Sequence, residues 1–253
     1  MATPRDFTLT AYELLLTALK ARGYAFHTFE DYLAHRPTGK VILLRHDVDR
    51  SPIHSLRAAY LEKKLGIRSS YYFRIVKQSN DPDMIRSIVL LDHEIGYHYE
   101  DLALCSGNKE RAIHSFETNL SYFRQFYPVS TICMHGSPLS AWDNRKLWES
   151  YQYSSYGITG EPYFELDFSQ FLYLTDTGRR WNGDKVSVRD KVTSPYRYEF
   201  RSTFDILDKL DELPAQLMIT THPQRWDNEF LPWVGELVLQ NIKNSMKRFL
   251  VNS

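Results

Sequence analysis

The sequence predicts an α/β protein whose strands and helices alternate and close into a β/α barrel. Three observations carry this. Short apolar runs alternate with amphipathic helical stretches, the pattern of a parallel sheet with crossover helices. The chain has 253 residues, which suits one barrel. No Gly-rich phosphate loop follows any of the strands, which counts against a nucleotide-binding, doubly wound sheet. A single domain over residues 1–253 is therefore expected, with no repeat, low-complexity tract or linker.

The elements follow in order. Residues 8–22 read as a helix, with Tyr12, Leu15, Leu16 and Leu19 on one face and Gly23 as the stop. Val41 to Leu44 is a buried strand. Ser51-Pro52 starts a helix that ends at Gly66, with Ser51 as N-cap. Ser69 to Ile75 is a strand, and Asp81-Pro82 opens the next helix. Glu94 to Tyr97 is a short strand. Lys109 to Phe126 is a helix carrying Ile113, Phe116, Leu120 and Phe123 on its apolar face. Val129 to Met134 is a strand and Asp143 to Ser150 a short helix. The stretch 151–198 reads as irregular apart from a strand at Phe171 to Leu174. Thr203 to Leu210 is helical, Gln216 to Thr220 a strand, and Leu231 to Leu250 a long helix.

Composition removes several classes of function. Basic and acidic residues number 31 each. With no basic excess or stripe, nucleic acid is not expected as a partner. Two cysteines, Cys105 and Cys133, give no disulfide framework and fit a reducing compartment. The run Leu14-Leu15-Leu16 is too short for a signal or a membrane span, so a cytoplasmic protein without a membrane partner is expected. The aromatic share, 14%, fits an aromatic core better than a sugar-facing surface.

Five strand candidates end in ionisable residues. Val41 to Leu44 leads into Arg45-His46-Asp47-Val48-Asp49, and Glu94 to Tyr97 into His98-Tyr99-Glu100-Asp101. Thr131 to Met134 leads into His135-Gly136-Ser137-Pro138. Phe171 to Leu174 leads into Thr175-Asp176-Thr177-Gly178-Arg179, and Leu217 to Thr221 into His222-Pro223-Gln224-Arg225-Trp226. In a β/α barrel the C-terminal strand ends converge on one mouth, so these side chains can meet. Imidazoles with carboxylates suit a divalent metal: zinc, or cobalt, nickel or iron. No thiolate ligand is expected. Asp47 and Asp49, two apart on an extended backbone, point to the same side. One can ligate while its neighbour takes a proton. Arg45, Asp176, Arg179, Trp181, Arg225 and Trp226 are candidate substrate contacts: arginine grips carboxylates in a fork and tryptophan offers a stacking face. His46 and His93 read as structural.

These strand ends resemble a family. Arg45-His46-Asp47-Val48-Asp49 resembles the first motif of the NodB-type polysaccharide deacetylases of carbohydrate esterase family 4. His93-Glu94-Ile95-Gly96-Tyr97-His98 looks like its Gly-His-Glu-Ile-Gly-x-His segment, with Asp92 in place of the leading Gly, and Thr221-His222-Pro223 is similar to its last motif. The resemblance spans roughly residues 40 to 225, with the motifs in family order. It implies a distorted barrel of about seven parallel strands and metal-assisted removal of an acyl group, usually acetyl, from an amino sugar or surface-polysaccharide precursor. It assigns Asp47 as general base, Asp49 and His98 as metal ligands, and His222 as general acid. Two departures stand. The family's second His, four after His98, is here Leu102, which leaves His135 or Asp101 as third ligand or none; His135 is preferred. The family's base-orienting Arg is also absent from its usual place, so Arg45 or His135 takes that role.

Overall fold

The computed structural model describes residues 5–136, 140–181 and 192–251, and for 246–251 the backbone alone. Ser137 and Pro138, which follow His135 in its motif, lie outside the described residues, as do 182–191 of the stretch expected to be irregular.

Helix α1 (Leu9–Ala21) begins where the Thr8 side chain accepts from Ala11 N, and it buries Tyr12, Leu15, Leu16 and Leu19. Each of these leucines stabilises the fold by roughly 1.5–3 kcal/mol through burial. Then come β1 (Ala25–His27), α2 (Phe29–His35), β2 (Val41–Val48), α3 (Pro52–Lys64), β3 (Ser70–Phe73) and α4 (Pro82–Leu90). β4 (Glu94–Tyr99), α5 (Asp101–Leu104), α6 (Lys109–Phe123) and β5 (Ile132–Met134) follow. The chain continues through α7 (Pro162–Glu165), β6 (Phe171–Thr175), α8 (Thr203–Asp208), β7 (Gln216–Thr221) and α9 (Phe230–Val251). The expected short helix after β5 is a 3-10 segment, Asn144–Glu149. Ser51 does stand at the head of α3, but its backbone is left-handed (φ 53°) and its hydroxyl caps nothing.

Among the described residues, all seven strands are parallel. Their order is β5-β4-β3-β2-β7-β6, with β1 beside the first half of β2 and β3 beside its second half. The sheet curls into a half-barrel flanked by helices and stays open between β5 and β6, so the barrel is distorted rather than closed. Every residue of β2 is buried, as expected for a strand covered on both faces. Its alternation sorts the core. Val41 and Leu43 pack inside with Phe171, Met218 and Phe29, so α2 closes the lower end. Ile42 and Leu44 face outward against α1 and α8, with Leu172, Leu217 and Ile219. Val48 joins a second outer cluster with Tyr71, Ile95, Tyr97 and Phe116.

Above the apolar floor the interior turns polar. Tyr72 crosses β4 at Gly96, where a Cβ would meet its ring at 2.3 Å, and its hydroxyl reaches Thr131 Oγ1 at 3.0 Å. Only glycine fits under that ring. At the open edge, Glu161 accepts from Met134 N (3.1 Å) and Tyr163 N (2.6 Å). Among the described residues no helix is long and apolar enough to cross a membrane.

Candidate metal centre

The upper ends of β2, β4, β5, β6 and β7 bring together Asp47, Asp49, His98, His135, Asp176 and His222. Asp49 stands one residue beyond β2. His135 and His222 follow β5 and β7 directly, and His98 points inward from β4. Asp49 Oδ1 lies 3.8 Å from His98 Nε2 and 3.5 Å from His135 Nε2, while Asp49 Oδ2 lies 3.8 Å from His222 Nε2.

Each imidazole is oriented from behind. His98 Nδ1 meets the carbonyl of Cys133 at 3.0 Å. A carbonyl only accepts, so Nδ1 carries the proton and Nε2 presents a lone pair. Burial pushes His98 down to about 4, against the pull of Asp47, so that lone pair is free at neutral pH. His135 Nδ1 donates to Glu100 Oε2 at 2.8 Å, and Arg74 holds Glu100 through Nε and Nη2, both at 2.8 Å. Burial opposes protonation of His135, but the Glu100 hydrogen bond and Asp49 outweigh it and raise its pKa. A carboxylate behind a ligating histidine fixes its tautomer and raises its basicity. Burial would raise Asp49, yet His135, His222 and His98 hold it at about 2.

The donor set fits a divalent ion. Asp49, His98 and His135 offer donor atoms within 4.8 Å of one another. Asp49 Oδ1 is buried and has no hydrogen-bond partner among the described residues, an arrangement a bound cation would explain. Asp101, the other candidate third ligand, is turned outward and engaged by Tyr97, Ser115 and Asn119. Contrary to the sequence expectation of no thiolate, Cys133 groups with Asp47 and His98 as a second possible set. There both Asp47 oxygens already accept from Arg45, whose charge repels a cation, so the Asp49 set fits better.

Arg45 grips Asp47 with two hydrogen bonds, Nε to Oδ1 at 2.7 Å and Nη2 to Oδ2 at 2.6 Å. Burial would raise Asp47, but Arg45 and then His98 hold it well below the usual carboxylate range. His222 Nδ1 meets Asp176 Oδ1 at 2.6 Å, and His222 N donates to Oδ2 at 2.9 Å. Arg225 Nη1 shares Oδ1, and Trp226 Nε1 donates to Oδ2 at 2.7 Å.

These contacts change the reading of the six expected substrate residues. Arg45 is spent on Asp47, and Asp176 on orienting His222. Trp181 donates to Thr203 Oγ1, and Trp226 packs on Phe7 and Tyr12. Arg179 lies over Trp233 and donates to its carbonyl, and Arg225 Nη1 is bound to Asp176. All six are buried, so neither tryptophan offers a free face. His46 sits behind the sheet between Glu62 and Thr221, and His93 nearby bonds Ser69 and Ala59. Glu100 and Arg74 were not assigned from sequence. Arg74 ends β3 as the other ionisable residues end their strands, and that rule applied to β3 finds it.

The chain matches no family model and no curated protein. Solved structures similar to it include a CE4 family pseudoenzyme from Bacillus anthracis, at 12% identity and TM-score 0.45, covering 83% of this chain and 62% of that one. The chain thus spans less than two thirds of that protein. A family 4 carbohydrate esterase from Streptomyces lividans, in complex with acetate, shares 13% identity over 81% of this chain and 88% of that one, TM-score 0.43. One from Bacillus anthracis shares 11% over 97% and 92%, TM-score 0.44. The fold assignment, a half-barrel of parallel strands flanked by helices, rests on the strand order and register described above.

Proposed function

We propose that the protein is a metal-dependent hydrolase that removes an acyl group, acetyl in the simplest case, from an amino sugar or surface-polysaccharide precursor. One observation carries the reading. The orphaned Asp49 Oδ1 faces two imidazole nitrogens, and a separately braced His222–Asp176 pair ends 3.8 Å from the same carboxylate. Asp49, His98 and His135 would hold the ion, with zinc the first choice and cobalt, nickel or iron compatible. When bound, it supplies Lewis acidity, acidifying water and polarising an acyl carbonyl. Asp47, fixed by Arg45, takes the proton of the attacking water. His222, fixed by Asp176, gives a proton to the departing amine. The amino-sugar substrate is supported by the strand-end motifs.

The grip of Arg45 on Asp47 favours a second reading, an inactive barrel that binds a glycan or a biosynthetic partner, because a carboxylate so stabilised is a weak base. Elemental analysis of the parent, His98→Ala and His135→Ala separates the two. The hydrolase reading expects about one metal in the parent, lost in both variants. It also expects Asp47→Asn to keep the metal and lose turnover on acetylated amino sugars. A parent that stays empty after incubation with zinc, cobalt or nickel overturns it.

A further inference from the structure

Helix α9 is inverted for a surface helix. Its buried residues include Glu236, Gln240 and Asn244, spaced four apart, and they meet the loops beneath. Asn244 Nδ2 donates to Gly178 O at 3.1 Å, and Glu236 pairs with Arg50. The apolar residues face outward instead. Leu231, Val238 and Ile242 are 79%, 53% and 54% exposed, and a Cβ added at Gly235 would meet no atom within 4 Å. A surface helix ordinarily buries its apolar stripe against its own core. This one holds itself down by polar contacts and leaves the stripe to solvent.

The outward residues Leu231, Gly235, Val238 and Ile242 follow one another at intervals of four, three and four. That is the spacing of the seam between two paired helices. The seam also reads the same from either end. Laid antiparallel on a second α9, Leu231 meets Ile242 of the other copy, and Val238 meets Gly235, whose missing side chain leaves a hollow for it. A two-fold interface demands this property: where one residue touches another, the second touches the first in return. The charges agree with it. Glu229, exposed just before α9, comes beside the exposed Lys243 of the other copy on the same flank. Parallel pairing would set Glu229 against Glu229 and Lys243 against Lys243. A membrane or an unrelated protein would require none of this symmetry. Over its 22 residues α9 is about 33 Å long. A strip one helix wide falls short of the roughly 800 Å² per partner of a standard interface, so the pair forms reversibly.

We propose that the outer face of α9 docks on α9 of a second copy of this chain, antiparallel about a two-fold axis, to form a reversible dimer. Analytical ultracentrifugation of the full chain tests it. Over a wide range of concentration the mass is expected to rise from monomer towards dimer. Val238→Glu, at a position exposed in the single chain, weakens association roughly ten-fold or more. Glu229→Lys and Lys243→Glu each weaken it roughly three-fold. The two together restore it, because each reversed charge again meets its opposite. A monomer at every concentration overturns the dimer. A dimer that Val238→Glu leaves intact overturns the seam, and a double reversal weaker than either single variant overturns the antiparallel register. Monomeric protein that binds anionic lipid vesicles, and loses them with Val238→Glu, gives the face to a membrane and overturns the proposal as well. Both charge reversals fall on exposed side chains, and they carry the test if Val238→Glu does not fold.

Discussion

Asp47 and Asp49 are two residues apart, yet their surroundings give them different chemistry. Asp47 has both oxygens on Arg45, whereas Asp49 keeps an oxygen with no partner among the described residues. The same division of labour appears behind the histidines, where Glu100 supports His135 and Asp176 supports His222. Glu100→Gln removes the charge behind His135 and nearly preserves the shape. It is expected to weaken metal affinity by roughly 10–100-fold, read from competition with a chromogenic chelator. Unchanged affinity would show that His135 is not a ligand. That Asp47, Asp49, His98, His135 and His222 come together was legible in the sequence because they sit at strand ends. Arg45 was expected either to face substrate or to orient the base, and it lies on Asp47; Asp176, expected to face substrate, lies on His222. The contact of Asp176 with His222 joins the ends of β6 and β7, which spacing along one chain does not reveal.

At the level of elements, a buried side chain ties α7 to the open edge of the sheet at β5. Glu161 joins β5 to α7 through backbone N–H groups. Burial pushes its carboxyl up to about 7 from an ordinary 4.5, although those N–H groups and Arg45 favour the charged form. Between these values the folded protein holds a proton that the unfolded chain has released. Stability from this group is therefore complete below about pH 4.5 and is lost as pH rises through about 7. The shift corresponds to roughly 3 kcal/mol. Glu161→Gln carries no such titration. Urea unfolding over this range is expected to show the parent losing about that much relative to the variant, and parallel curves would contradict it. Sequence reading placed most helices and strands, because their apolar periodicity is strong. It missed β1 and α2, which are three and seven residues long, too short for periodicity to register. It also left α7 in an irregular stretch, where only Glu161-Pro162 hinted at a helix start.

For the whole molecule, the barrel and its mouth are held by different forces. Three apolar clusters fix the sheet and its flanking helices, whereas α9 presents Glu236, Gln240 and Asn244 to the loops below. Among the described residues of that helix few apolar side chains are buried, so its amides are expected to exchange with solvent through local opening, well before those of β2. Hydrogen-exchange mass spectrometry would show this, and equal protection of α9 and β2 would refute it. The polar helix has a kinetic consequence of its own: contacts of this kind exchange readily for water, so α9 is expected to lift while the sheet beneath it stays closed.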